Sequence, residues 1–192
     1  MRSRLAIGAL LAILAVAPLA HAAGFRAEDP DAKKEYLEKI AKGEAAFAAH
    51  DMPGAEAAFQ DAVHNDPARM LAPYRMGELY MSMGKHEEAL TTLRNALGKK
   101  STPALKSKVM YLIGLVCERA HKLPEAKESF ANYIAFVQTN AEIKGFPKIA
   151  AQHIKVIERR MKDEVDYGAV KDRIQKREKE KEAEAAENAK NR

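Results

Sequence analysis

The chain has 192 residues, 47% of them hydrophobic and 31% charged, with a formal net charge of +5. That length gives one ordinary domain or a short row of repeats, with enough apolar residues for a core. A single Cys excludes an internal disulfide framework and a four-cysteine zinc site, and the abundance of Ala, Lys and Glu favours helices over strands.

Residues 1–22 read as a secretory signal. Arg2 and Arg4 supply the positive start, Leu5 to Ala17 an apolar run that Pro18 ends, and Ala20-His21-Ala22 the small residues that a signal peptidase reads. The run is short against the roughly 20 residues of a membrane-crossing helix. No Cys lies near the cleavage site, which excludes a lipid anchor. Cleavage after Ala22 would remove Arg2 and Arg4, leaving 30 basic against 27 acidic residues, a formal charge of +3. Neither that balance nor export suits a nucleic-acid binder. No second long apolar run follows, so the expected address is the periplasm or the exterior, without stable membrane insertion after cleavage.

The middle of the chain repeats itself. Gly43, Ala55, Phe59 and Ala62 are spaced 12, 4 and 3 apart; Gly77, Ala89, Leu93 and Ala96 keep the same spacing, as do Gly114, Ala126, Phe130 and Tyr133. The copies are offset by 34 and 37 residues, and the three extra residues fit in the Gly98–Pro103 connection. The spacing suits helix–turn–helix pairs. A Gly in the first helix and an Ala early in the second allow a close crossing, and Phe59, Leu93 and Phe130 follow one turn later on the same face. Breakers stand between the helices at Asp51-Met52-Pro53, Gly84-Lys85-His86 and Lys122-Leu123-Pro124, and Thr102-Pro103 reads as a cap and first residue.

Over about residues 36–140 this pattern resembles the tetratricopeptide repeat family. Its best copy has Met76-Gly77, Tyr80, Gly84, Ala89, Leu93 and Ala96-Leu97; the closing Pro67 of the first copy is absent from the other two. The resemblance implies an all-α solenoid of about three repeats. A further helix opens at Phe146-Pro147, with Ile149, His153, Ile154, Ile157, Met161 and Val165 on one stripe, and reads as the C-terminal cap that a solenoid needs. The expected organisation is a signal over 1–22, a repeat domain with its cap over 23–165, and a charged tail over 166–192. From Lys171 onward the tail holds 8 basic and 6 acidic residues with Ile174 as its one large apolar residue, the composition of a frayed, solvated helix or a disordered segment.

No catalytic constellation is present: there is no Gly-rich phosphate loop, no His-Glu-x-x-His and no nucleophile elbow. Cys117 matches Tyr80 in the repeat register and is expected to be a buried small residue. His50, His86 and His121 fall at turns along one edge. Neighbouring helices lie about 8–10 Å apart, whereas a zinc ion needs its ligands within about 2.1 Å, so these read as polar turn residues. His153 is expected to be a hydrogen-bonded packing residue. No metal and no cofactor is expected.

In the family the first helices line a concave groove. The inward positions implied by the resemblance include Ile40, Glu44 and Phe47 from the first copy, Tyr74, Glu78 and Met81 from the second, and Lys108, Tyr111 and Leu115 from the third. Tyr74 and Tyr111 are equivalent and suit hot-spot contacts; Glu44 and Glu78 are equivalent and give a partly acidic stripe, expected to favour a ligand with Lys or Arg. One subgroup of the family clamps the C-terminal carboxylates of chaperones with Lys, Asn and Arg. Here Ile40, Glu44 and Leu112 depart from that set and only Lys108 is kept, which disfavours the specialised role. The expected function is a non-enzymatic scaffold or adaptor of the bacterial cell envelope that binds a peptide or protein segment. A homo-oligomeric structural protein joined through the cap helix and tail is the alternative, as is an accessory subunit of an envelope enzyme or assembly machine.

Overall fold

In the computed structural model the described residues are 28–190, with side chains to 182; the expected signal over residues 1–22 lies outside them. Seven long helices follow in chain order: α1 (Lys34–Ala48), α2 (Met52–Asn65), α3 (Leu71–Ser82), α4 (His86–Ala96), α5 (Pro103–Arg119), α6 (Leu123–Thr139) and α7 (Pro147–Lys190). The first six form three antiparallel pairs, and α7 packs on α6. No described helix is long and apolar enough to cross a membrane.

Each pair is built around its glycine. A Cβ on Gly43 would lie 2.4 Å from a Phe59 ring carbon, one on Gly77 2.4 Å from Leu93 Cδ2, and one on Gly114 2.8 Å from Phe130. The three large side chains therefore rest directly on glycine backbone, as the 12-4-3 spacing requires. Ala55, Ala89 and Ala126, one turn earlier, are fully buried at the same crossings. The helix starts follow local chemistry. The Asp51 carboxylate accepts from the Gly54 N–H at 2.9 Å and the Thr102 hydroxyl from the Leu105 N–H at 3.2 Å, capping α2 and α5.

The three turns within pairs share one device. His50, Gly84 and His121 have φ of 60°, 73° and 57°, the left-handed conformation that closes a helix. The equivalent residues are thus His50, Gly84 and His121. His86 is displaced from that set, opening α4 instead.

Neighbouring pairs are stitched by backbone. The Met70 N–H donates to the Lys100 carbonyl at 3.0 Å and the Lys100 N–H to the Ala68 carbonyl at 2.8 Å, tying the link before α3 to the link before α5. Of the first helices, α1 touches α3 and α3 touches α5, and the three form the inner layer; α2, α4 and α6 form the outer one.

The cap differs from its sequence pattern in register. Ala150 and Ile157 are fully buried, with Ile154 and Met161 half-buried beside them, whereas Ile149 and Val165 of the expected stripe are exposed. The buried face follows a 4–3–4 rhythm from Ala150 through Ile154 and Ile157 to Met161, one residue on from Ile149, because the small Ala seats the helix closely. Past Met161 the helix leaves the repeats, and cap and tail are one continuous helix to Lys190. Residues 171–182 are all exposed, Ile174 included. Deleting residues 171–192 is therefore expected to change unfolding free energy by no more than about 0.5 kcal/mol, the scale of ordinary surface changes. Urea titration checks this; a loss of cooperativity would show that the tail packs on the array.

Candidate functional site

The inner layer presents its residues in rows set by the offsets of 34 and 37. Ile40, Tyr74 and Tyr111 form one row, Glu44, Glu78 and Leu115 the next, and Phe47, Met81 and Glu118 a third. The rows do not share a fate. Ile40 is fully buried and belongs to the core; Tyr74 is only 8% exposed; Phe47, Met81, Tyr111 and Leu115 are half-buried against the core; Lys108 is exposed.

Arg75 organises the middle of this face. Its Nε lies 3.0 Å from Glu44 Oε1 of α1, its Nη1 2.7 Å from Glu78 Oε2 one turn on, and its Nη2 2.9 Å from Glu28 Oε2 of the segment before α1. One planar fork thus engages three carboxylates from three parts of the chain. Burial pulls the guanidinium toward losing its proton, but Glu78, Glu28 and Glu44 outweigh it and leave it above its ordinary range. The Tyr74 hydroxyl donates to Glu78 Oε1 at 2.6 Å, and Arg75 stands 5.1 Å over the Tyr74 ring. Burial, with the Glu78 charge, pushes that phenol well above its ordinary value. Glu44 and Glu78, expected to attract a cation of the ligand, are instead engaged by Arg75. Tyr74 fixes Glu78 in place and offers little free ring.

A second cluster joins α5 to the cap. His153 stacks on Phe130 with ring centroids 4.8 Å apart; its Nδ1 lies 2.7 Å from Glu118 Oε2 and its Nε2 3.4 Å from the Tyr111 hydroxyl. Tyr111 meets Phe130 and Tyr133 at 5.5 and 5.1 Å, and Arg160 reaches Glu118 at 3.7 Å. The order Glu118–His153–Tyr111 has the sequence of a catalytic relay but not its chemistry. Burial pushes the Tyr111 hydroxyl up, away from ionisation, and its ring is wedged among aromatics. The cluster holds α7 where a fourth first helix would stand. His153→Ala removes a stacked ring and a charge-assisted hydrogen bond together, and is expected to cost about 1–3 kcal/mol. Faster hydrogen exchange over residues 147–161 would locate the effect.

Among the described residues no group of His, Cys, Asp and Glu could hold a metal ion. Cys117 is fully buried, and burial pushes its thiol up, opposite to a reactive cysteine. Sequence reasoning did not single out Arg75 or Glu28. A signal for Arg75 existed: in α3 only Arg75 and Glu78 are charged, and the residues equivalent to Arg75 in the other pairs are Ala41 and Leu112. A lone charge in an apolar row marks a buried partner set. Glu28 carried no such signal, since its partners lie 47 and 80 residues away.

Comparison with known proteins agrees with this architecture. Residues 46–109 match the tetratricopeptide repeat family model. The curated proteins yield no match. Among solved structures, the N-terminal domain of stress-induced protein-1 from C. elegans is similar with a TM-score of 0.57 at 17% identity, over 65% of this chain and 94% of that one. The Sgt2 TPR domain from Aspergillus fumigatus gives 0.59 at 17% identity, over 72% and 87%. The first TPR of Spaghetti (RPAP3), bound to the HSP90 peptide SRMEEVD, gives 0.55 at 19% identity, over 68% and 95%. With glycine-centred helix pairs, their stacking and these likenesses in accord, the chain has the tetratricopeptide repeat fold, and its residues 46–109 match that family's model.

Proposed function

We propose that this protein is a non-catalytic interaction scaffold of the bacterial cell envelope, exported by its first 22 residues, that holds a peptide or protein segment on the concave face. The inner layer carries the reading. Phe47, Met81 and Leu115 leave apolar surface half-open beside the fixed Glu44–Arg75–Glu78 array, so anchors and charges stand on rigid helices. A TPR domain of the same fold was solved with a bound peptide, which supports a peptide-sized ligand. Export is supported by the order of charged, apolar and small residues over 1–22. The test is a photoreactive residue in place of Met81, which packs against the core without being enclosed in it. Crosslinking in intact cells, followed by osmotic release, should recover an adduct in the periplasmic fraction. An adduct from the outer helix α4 but not from Met81 would move the binding face to the convex side.

A second reading has one specific observation behind it. Tyr167 and Ile174 are 72% and 52% exposed on the free part of α7, with Val170 between them at helical spacing. A homo-oligomer would cover that stripe. Light scattering with and without residues 166–192 separates the two: a mass that halves on deletion favours self-assembly.

A further inference from the structure

Residues 28–32 precede α1, yet they are bound chiefly to the second and third repeats. Glu28 spans two helices, with Oε2 2.9 Å from Arg75 Nη2 in α3 and Oε1 2.5 Å from Lys108 Nζ in α5. Its backbone carbonyl accepts from the Thr102 hydroxyl at 3.2 Å. Asp29, 4% exposed, pairs with Arg69 Nη1 at 2.5 Å, and Arg69 Nη2 also donates to the Asp31 carbonyl. The Ala32 N–H closes a turn onto the Asp29 carbonyl at 3.1 Å, with Pro30 inside it. A five-residue turn therefore presents two carboxylates and two carbonyls to receptors 38 to 80 residues away.

The chemistry of this contact is that of a ligand rather than of a core. Only Ala32 among these five residues is a buried apolar side chain. The rest is charge pairing, and the Lys108 end is half-open to water, where ion pairs are weak and screened by salt. The receptor survives without the segment: Arg75 keeps Glu44 and Glu78, and Arg69 keeps Asp66 at 3.0 Å. Lys108, expected from the sequence to face the groove, is the group whose carboxylate leaves with the segment.

We propose that Glu28–Ala32 is an exchangeable self-ligand that occupies part of the concave face, so that a partner segment gains that part only by displacing it. This rests on the reading of the concave face as the binding face. The segment ends two residues before the folded α1, which packs beside the helix that carries Arg75, and a segment on so short a tether has an effective concentration of the order of millimolar. A micromolar competitor therefore meets a closed site in the native chain. A segment able to compete must place a carboxylate where Glu28 lies, between Arg75 and Lys108.

The test uses a fluorescein-labelled synthetic peptide of residues 24–34 and the full chain. The native chain should show no binding at micromolar peptide. The double variant Glu28→Gln with Asp29→Asn should bind it at least about tenfold more tightly, since the tethered competitor is gone. The peptide carrying the same two amide substitutions should lose that gain, as should the native peptide in 0.5 M salt. Equal binding by native and variant chains, or by acidic and amide peptides, would overturn the proposal. Hydrogen exchange on the native chain keeps the test independent of the variant's folding. The Ala32 amide should exchange much faster than those of α3, and protection equal to α3 would overturn exchangeability. An adduct from Met81 alongside failed peptide exchange would leave the binding face standing and remove only the self-ligand. Peptide exchange without an adduct would do the reverse.

Discussion

Arg75→Ala is expected to lower unfolding free energy by about 3 kcal/mol at pH 7, more than its loss of side-chain packing accounts for. The guanidinium is the common partner of Glu28, Glu44 and Glu78. Removing one member of a buried charge set costs about 3–5 kcal/mol because the remaining charges stay desolvated and uncompensated. The carboxylates keep 19% to 29% side-chain exposure, which places the effect at the lower end. Its pH dependence identifies the cause. In the variant, repulsion among crowded carboxylates makes protonation easier in the folded than in the unfolded chain. The deficit should therefore be full near pH 7 and shrink as pH falls through the carboxylate range, about pH 4 to 5. Arg75→Lys should restore the charge but not the three-way fork, and recover only part of the loss. Urea titrations at pH 7 and pH 4.5 read both effects. A loss under 1 kcal/mol, or one independent of pH, would mean that the array is an exposed charge cluster of little energetic weight.

The fold was legible because its determinants are local and repeated. Gly43, Gly77 and Gly114 each lie 16 residues before the side chain that rests on them, and that interval is set by one helix, one turn and one further helix. Three copies make the pattern readable even where a marker is lost, as with the missing closing prolines. The left-handed turns show the limit of residue matching. His50 and His121 stand where the second repeat has Gly84, so the shared property is a backbone conformation, and His86 only shares a residue type. The shifted cap has a similar origin. Ile149 and Val165 look like core residues by hydropathy, but Ala150 decides which face of α7 can approach α6.

The inner face was legible as a surface and not as an electrostatic arrangement. Repeat register put Glu44, Tyr74, Glu78 and Lys108 on the inner helices. It could not show that Glu44 and Glu78 converge on Arg75, because that convergence depends on the angle between α1 and α3 and on a segment from outside the repeats. Equivalence in register also misled for the tyrosines. Tyr74 is held by Glu78, whereas Tyr111 meets His153 of the cap, a neighbour with no counterpart beside α3. An end repeat and a middle repeat place the same residue in different surroundings.

Gly77→Leu is expected to cost about 1–3 kcal/mol, the range for forcing extra methylenes into a packed crossing, against a helix-propensity gain of at most about 1 kcal/mol. Even a single Cβ at Gly77 would stand 2.4 Å from Leu93 Cδ2 and 2.5 Å from Cγ. Leu93 is fully buried, so it cannot turn into solvent to make room. Either α4 shifts outward or Leu93 leaves its rotamer, and both loosen the crossing that orients the second pair. For a domain of this size the midpoint should fall by roughly 2–4 °C per kcal/mol. A second substitution tests the cause. Gly77→Leu with Leu93→Ala nearly conserves side-chain volume at the crossing, with the bulk moved from α4 to α3. The double variant should be more stable than the sum of the two single losses, with a coupling of about 1 kcal/mol or more. Leu93→Ala alone should cost about 2–5 kcal/mol through the cavity it opens. Additive losses in the double variant would show that the two positions do not share a crossing. The 12-residue glycine-to-alanine interval would then be out of register with the packing.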